Sequence, residues 1–401
     1  MNIPSDVKRI LDTLMDAGFD AYVVGGSLRD ALLGRDASDW DVTSAANPER
    51  VMELFSHLRV IPTGLKHGTV TVITEEGHPI EITTFRTDGN YSDSRHPESV
   101  SFASTVEEDL SRRDFTVNAM AYNPSRGLVD LFDGKRDLSE RRIRCVGDPV
   151  TRFTEDALRI LRAFRFASQL DFEIDPETLA GAYAARNGLD NIARERIGAE
   201  TLKLLDGASP SRSLSLMGDI LSKVLPTRLD GRRIERVSDL KCDAVGRLAY
   251  LLHGCDEDTV RSASHSLRLS SKQGSRLLKL SRPVAPMLLK KFPSDGEMRR
   301  IIREYRDDTV TVVRIASHLY EIDPNMENKL RRIAAEKPVI ELSGLAVNGS
   351  DLIKCGVASG AFVGVLLSKL LDAVIDNPSL NSPELLLALA QKLQKTELNY
   401  E

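Results

Sequence analysis

AYVVGGSLRDALLGRDASDWDVT, residues 21–43, reads as a strand, a turn with a helix, and a second strand. AYVV is a short apolar run, GGSLRDALLG carries helix formers behind two glycines, and DWDVT alternates as a half-buried strand does. Gly25 and Gly26, between strand and helix, let backbone amides approach an anion that the helix N-terminus favours. Arg29, one turn into the helix, adds a charged fork to the same phosphates. Asp39 and Asp41 flank Trp40, and strand alternation puts residues two apart on one face, so both carboxylates point the same way. Two like charges held side by side are unfavourable unless neutralised, and a hard divalent cation does this with carboxylate oxygens. Two such ions can clamp the attacking and leaving oxygens of an in-line phosphoryl displacement. A DxD pair alone is more often an ordinary surface pair. It becomes a mechanism through the order phosphate loop, helix, metal strand.

Working outward, PERVMELF (48–55) reads as a helix, while GTVTVIT (68–74) and HPIEITTF (78–85) alternate as strands of a half-buried sheet. Glu81 in the latter is either a third active carboxylate or an outward-facing strand residue. RTDGNYSDSRHPES (86–99) is polar and turn-rich, as expected of a mobile loop. After about residue 150 the strand signal fades. TEDALRILRAFRFASQL (154–170) predicts one helix with Thr154 as N-cap and acids in the first turn. Helical patterns continue to the end, interrupted by turns such as DGASPS (206–211) and FPSDGE (292–297). The expected fold is α+β and multidomain, a mixed α/β head followed by an all-helical remainder.

The bulk numbers bound the class. At 401 residues, two to four domains are expected. A composition 41% hydrophobic and 28% charged is that of a soluble globular protein, and no apolar run is long enough to span a membrane. The N-terminal stretch lacks the basic and apolar regions of a secretory signal. Cys145, Cys242, Cys255 and Cys355 form no CxxC pair, which argues against zinc or a disulfide framework and fits a reducing cytoplasm. The net charge of −5 does not suggest a nucleic-acid binder, but the charge segregates: residues 261–306 hold twelve Lys or Arg against three acids. Lys272, Arg276, Lys279 and Arg282 recur along one side of a helix, either as a solvated face or as an RNA-binding, phosphate-tracking stripe.

Two further constellations bear on nucleotide binding. SRRDFTVNAMAY (111–122) sets Arg112, Arg113, Asp114 and Asn118 among apolar side chains. Asp114 can accept from ribose hydroxyls and the arginines can pair with phosphates, although an RRD cluster is also a common surface ion-pair patch. In TEDALRILRAFRF, Asp156, Arg159, Arg162 and Arg165 recur every three residues as a polar ridge. The plain alternative is an i, i+3 salt bridge. The sharper reading concerns bases: cytosine and adenine both show an amino donor beside a ring-nitrogen acceptor, matching a carboxylate and a guanidinium. Uracil and guanine present the reverse order and would leave groups unpaired, at about 1–3 kcal/mol per buried group. One Asp/Arg pair therefore selects C or A over U or G.

GGSLRDALLGR with DWD, RRDFTVNAMAY, DGKRDLSERRIRCVGD (133–148), EDALRILRAFRF and ARERIGAE (193–200), in this order, resemble the class II tRNA nucleotidyltransferases, the CCA-adding enzymes related to bacterial poly(A) polymerases. The resemblance implies a polymerase-β-like head (1–139), a neck with a base-reading helix (140–208), a body (209–305) and a tRNA-binding tail (306–401). It implies Mg2+ as cofactor, CTP and ATP as substrates, and the tRNA 3′ end as nucleophile. Asp39 and Asp41 then stand as metal ligands, with Glu81 beside them, and Gly25, Gly26 and Arg29 as the triphosphate site. Arg113 and Asp114 fall to the ribose motif and Asp156 and Arg159 to base reading, with Asn118, Arg162 and Arg165 also expected among the nucleotide-binding residues. YSDSRHPESV (91–100) resembles the loop that helps switch from C to A, with Ser94 and His96 where Gly and a second Arg are more usual. ARERIGAE is expected to brace the EDxxR helix. The rival readings are a poly(A) polymerase, an enzyme adding only CC or only A, and a non-catalytic RNA-binding protein on the same scaffold.

Overall fold

The computed structural model describes residues 3–37, 39–88, 100–357 and 359–397. The loop containing Ser94 and His96 lies outside them. The chain divides into two compact units, Met1–Ser238 with Arg261–Gly274, and Asp239–Val260 with Ser275–Glu401.

The first unit begins with α1 (Ser5–Asp16), β1 (Ala21–Val24), α2 (Gly25–Leu32), β2 (Asp41–Ser44), α3 (Pro48–Leu54), β3 (Arg59–Gly64), β4 (Thr69–Ile73) and β5 (Pro79–Thr84). It continues with β6 (Arg86–Asp88), β7 (Val100–Phe102), α4 (Val106–Ser111), β8 (Ala121–Asn123), β9 (Gly127–Val129), α5 (Gly134–Ser139) and β10 (Arg142–Ile143). The sheet has seven strands in the order β3-β4-β5-β2-β1-β8-β9, and β2 runs parallel to β5 while β1 is antiparallel to both its neighbours. Its register sorts the side chains. Val23, Val42, Ile82 and Val70 are mutual partners on one face, all of them buried. On that face α1 packs against β1 and α3, burying Val7, Ile10, Leu11 and Leu14 at helical spacing. On the other face, Tyr22 and Val24 of β1 join Phe85, Val106 and Leu110 in a core under α4, whereas β2, β5 and β4 carry polar residues there.

Two local expectations are corrected. DWDVT is a strand only from Asp41, so the face-sharing argument for positions 39 and 41 does not hold: Asp39 sits in a bend ahead of the strand and is exposed. On the β1 side, Gly25 (φ +75°) turns the chain away after Val24, the partner of Asp41, so the antiparallel pairing ends there. Residues 154–170 are likewise two helices rather than one, α6 (Pro149–Glu155) and α7 (Leu158–Leu170). Asp148 caps α6 by accepting from Thr151 N (2.7 Å), with Pro149 at the first position, so Thr154 lies inside a helix already begun. Asp156 breaks the run in an extended conformation (φ −139°, ψ 101°), and its Oδ1 accepts from Leu158 N at 3.1 Å.

After α7 come β11 (Glu173–Ile174), paired parallel with β10, then α8 (Pro176–Ala185), α9 (Arg194–Leu205) and α10 (Pro210–Met217). Helix α7 is buried along most of its length and packs against α9 and α10. Gly198 of α9 permits one close approach: a Cβ there would stand 1.9 Å from Leu267 O. Gly198→Ala is therefore expected to lower stability by about 1–3 kcal/mol, read as a reduced urea midpoint; an unchanged midpoint would contradict the packing.

The second unit is helical. Ser294 and Glu297 form a capping box at the start of Asp295–Tyr305. The helices Phe362–Asp376 and Pro383–Glu397 share a core of Leu366, Leu370, Val374, Leu386 and Ala390. Among the described residues, no helix is long and apolar enough to cross a membrane.

Candidate active site

The polar face of β2, β5 and β4 forms the floor of a cavity of about 880 Å³ in the first unit, and Asp156 at the α6–α7 break, α7 and Arg196 of α9 form its far wall. Sequence brings the groups together in three steps.

The first is the carboxylate row. Asp41 and Glu81 are register partners on adjacent parallel strands, so their side chains stand side by side. The Asp41 carboxyl is pushed up to about 6, by burial first and then by the negative charge of Glu81; Arg113 opposes the rise and Asp39 adds to it. Among the described residues, no three His, Cys, Asp or Glu side chains are grouped as metal ligands. What the site offers is an all-oxygen donor set around a carboxylate raised by its like-charged neighbours. That chemistry fits a hard divalent cation.

The second is the glycine turn and the arginines around it. Val24 is extended, Gly25 turns at φ +75°, and α2 starts directly, without the intervening turn that was expected. A Cβ on Gly25 would lie 3.5 Å from Asp41 Oδ2 and 3.6 Å from Arg113 Nη1. Those are ordinary contact distances, so Gly25→Ala should act through backbone strain of about 1–2 kcal/mol at the turn beside the carboxylate. The expected result is a loss of turnover at least tenfold with only a small drop in melting temperature; normal kcat would refute this role for Gly25. Arg29 is buried, with Nε and Nη2 donating to Asp30 and Nη1 to Asn118 Oδ1 (2.8 Å). Arg112 and Arg113 are both held by Asp109, which is fully buried. Burial raises the Asp109 carboxyl, but the two guanidinium groups outweigh it and hold it below the usual range. Sequence reasoning missed Asp109, although its spacing of three and four from the arginines was a visible signal.

The third is the wall. Asp114 Oδ2 accepts from Arg162 (Nε 2.7 Å) and Oδ1 from Phe115 N (2.9 Å). Its burial is outweighed by Arg162, which keeps the carboxyl ionised below its ordinary value. The Phe166 ring is flanked by Arg165 (4.0 Å), Arg162 (5.3 Å) and Arg29 (5.4 Å). Asp156 and Arg159 both line the cavity, but they do not form the i, i+3 bridge weighed above. Asp156 Oδ2 accepts instead from Arg196 (3.2 Å), and Arg159 donates to Glu155 (2.7 Å) and to Arg112 O (3.2 Å). Arg165 pairs with Glu200 at 2.7 Å. The bracing expected of ARERIGAE therefore runs through Arg196 and Glu200, one helical turn apart on α9. Glu155 was also missed, although it stands three and four residues from Arg152 and Arg159; Arg196 was not singled out because its partner Asp156 is forty residues away.

Lys272, Arg276, Lys279 and Arg282 do not all face water. Lys272 is exposed, and Arg282 lies 3.8 Å from Glu257 with its side chain 65% exposed. Lys279 Nζ sits 5.2 Å from the Tyr305 ring. Arg276 is a structural hub, donating to Asp308 (2.6 Å) and to Asp243. It leaves the stripe because its guanidinium ties helices of the second unit together.

Comparison with known proteins adds independent information. Residues 21–144 match the poly A polymerase head domain family, and residues 171–220 match the family described as a probable RNA and SrmB-binding site of polymerase A. The CCA-adding enzyme of Ligilactobacillus salivarius is 36% identical over 98% of this chain and 98% of its own. That of Enterococcus faecalis is 32% identical over 97% of each. The Bacillus stearothermophilus CCA-adding enzyme in complex with CTP superposes with a TM-score of 0.86 over 100% of both chains, at 30% identity. The Thermotoga maritima CCA-adding enzyme complexed with tRNA shares the fold at 24% identity, with a TM-score of 0.70 over 98% of this chain and 96% of that one.

Proposed function

Because this chain belongs to the family of CCA-adding enzymes, we propose that it adds C, C and then A to the tRNA 3′ end from CTP and ATP, releasing pyrophosphate. One observation carries the reading: a single cavity is lined by the Asp41–Glu81 row, the Gly25–Gly26 helix start and the Asp156 and Arg159 side chains. An enzyme that copies no nucleic-acid template must hold its selecting groups within a nucleotide's length of the reacting phosphorus. This cavity has both on its walls.

In the proposed cycle, the Gly25 and Gly26 amides with Arg29 and Arg113 bind the triphosphate, and Asp114 with Asn118 accepts from the ribose. Asp156 accepts from the exocyclic amino group of C or A while Arg159 donates to the adjacent ring nitrogen. The RNA 3′-hydroxyl attacks the α-phosphorus, and the bond from that phosphorus to the β-bridging oxygen breaks as pyrophosphate leaves. Magnesium held by Asp41, Glu81 and Asp39 would neutralise the attacking and leaving oxygens. The head, neck, body and tail limits of 1–139, 140–208, 209–305 and 306–401 are retained as a proposal. Lys272, Lys279 and Arg282 are proposed to meet tRNA phosphates, and Arg276 to hold their helix. Work on tRNA and four free cysteines both suit a reducing cytoplasm.

Primer extension tests this directly, with magnesium and a tRNA lacking its last three nucleotides. Three additions only when CTP and ATP are both present support the proposal. Two C, a lone A on a tRNA ending in CC, or a long A tail would select a specialised relative instead. No addition would favour a non-catalytic RNA-binding protein.

A further inference from the structure

The cavity extends past the carboxylates, and the nucleotide contacts proposed above leave the part beyond them unassigned. Two rows of side chains cross the same face of the sheet. Asp41 and Glu81 form one. Thr43, Thr83 and Thr69, register partners across β2, β5 and β4, form the next, about 6.7 Å further along the strands. All three threonines line the cavity, as do His67 and Arg86 at its edge. The row is ordered: Thr43 Oγ1 donates to Thr83 O at 3.1 Å, and the Thr69 and Thr83 hydroxyls are 3.0 Å apart. Arg86 donates to His67 O at 2.8 Å, which holds it beside the end of the row.

In-line displacement assigns this region an occupant. With the triphosphate at the start of α2, as proposed above, it lies on the β1 side of Asp41 and pyrophosphate departs toward β1. The attacking oxygen must approach from the opposite side, and in the order β4-β5-β2-β1 that side is β5 and β4. Hydroxyls bordered by an arginine suit the two groups that any RNA end presents next to its 3′-hydroxyl, a ribose 2′-hydroxyl and a phosphodiester.

We propose that Thr69, Thr83, His67 and Arg86 form the subsite for the 3′-terminal nucleotide of the RNA acceptor. Thr83 contacts the ribose 2′-hydroxyl, and Arg86 contacts the phosphate on the 5′ side of that nucleotide. The inference rests on the nucleotidyltransferase reading above and adds where the acceptor sits.

Steady-state CTP addition to tRNA lacking its last three nucleotides tests it, with Arg86→Ala, Arg86→Lys and Thr83→Val. Arg86→Ala should raise KM for tRNA about tenfold while KM for CTP stays within about twofold, and Arg86→Lys should recover part of the loss. A tRNA whose last residue is 2′-deoxy should be a poorer substrate for the wild type, and Thr83→Val should abolish that difference. A tRNA KM unchanged by Arg86→Ala, a CTP KM that rises in parallel, or a deoxy penalty undiminished in Thr83→Val would each overturn the subsite. A wild type that extends no tRNA would overturn the functional reading, and the subsite with it.

Discussion

Asp41→Asn should abolish nucleotide addition, by at least about a thousandfold, and at the same time raise the melting temperature of the metal-free protein at pH 8. The first effect follows from removing a carboxylate that faces Glu81 at the point where charge must be neutralised in the transition state. The second follows from the direction of its pKa shift. In the fold the Asp41 carboxyl is raised from 3.8 to about 6, by burial and then by Glu81. The folded state therefore holds this proton more tightly than the unfolded chain, and stability falls as pH rises between about 4 and 6. Above that window the ionised carboxylate is a standing cost, which asparagine removes. Magnesium should raise the melting temperature of the wild type and leave that of the variant nearly unchanged. Melting curves at pH 5 and pH 8 with parallel primer extension decide the matter. Retained activity would sink the catalytic role, and a variant less stable than wild type at pH 8 would sink the electrostatic one.

Asp156→Ala should damage base choice more than catalysis. Its carboxylate is held from two sides, Oδ1 by Leu158 N and Oδ2 by the Arg196 guanidinium, while Arg159 is fixed independently by Glu155. Removing the carboxylate takes away the acceptor proposed to distinguish an amino group from a carbonyl oxygen but leaves the Asp41–Glu81 row untouched. Preference for CTP over UTP should fall about ten- to a hundredfold, the worth of one buried hydrogen-bonding mismatch. The measurement is kcat/KM for CTP, ATP, UTP and GTP on matched acceptors. An unchanged preference would exclude Asp156 as the selecting group. Loss of all four activities alike would make it a structural residue of the α6–α7 break.

Much of this was legible beforehand because it is encoded locally. The alternation in residues 68–74 and 78–85 marked β4 and β5, since a sheet with one buried face imposes a period of two on the chain. GGSLRD marked the turn that opens α2, because the left-handed backbone at Gly25 (φ +75°) favours a residue without Cβ. The ordered motifs from residue 21 to 200 announced the family, and the α+β division was visible as the strand signal faded near residue 150. What failed was the extrapolation of periodicity across junctions. Asp39 was placed on a strand that starts two residues later, and Asp156 on a helix that it interrupts. Each boundary is set by what the neighbouring elements can pair with, which the local sequence does not contain.

The sequence by itself thus determined the family and the division of the chain into an α/β head and a helical remainder. Only the tertiary structure decided the partnerships: Glu81 beside Asp41, Asp109 beneath both arginines, Arg196 on Asp156 rather than Arg159, and Arg276 locked between Asp243 and Asp308. The reason is physical. A charged side chain is oriented by the nearest group that offsets its desolvation, and in a folded chain that group is commonly far away in sequence.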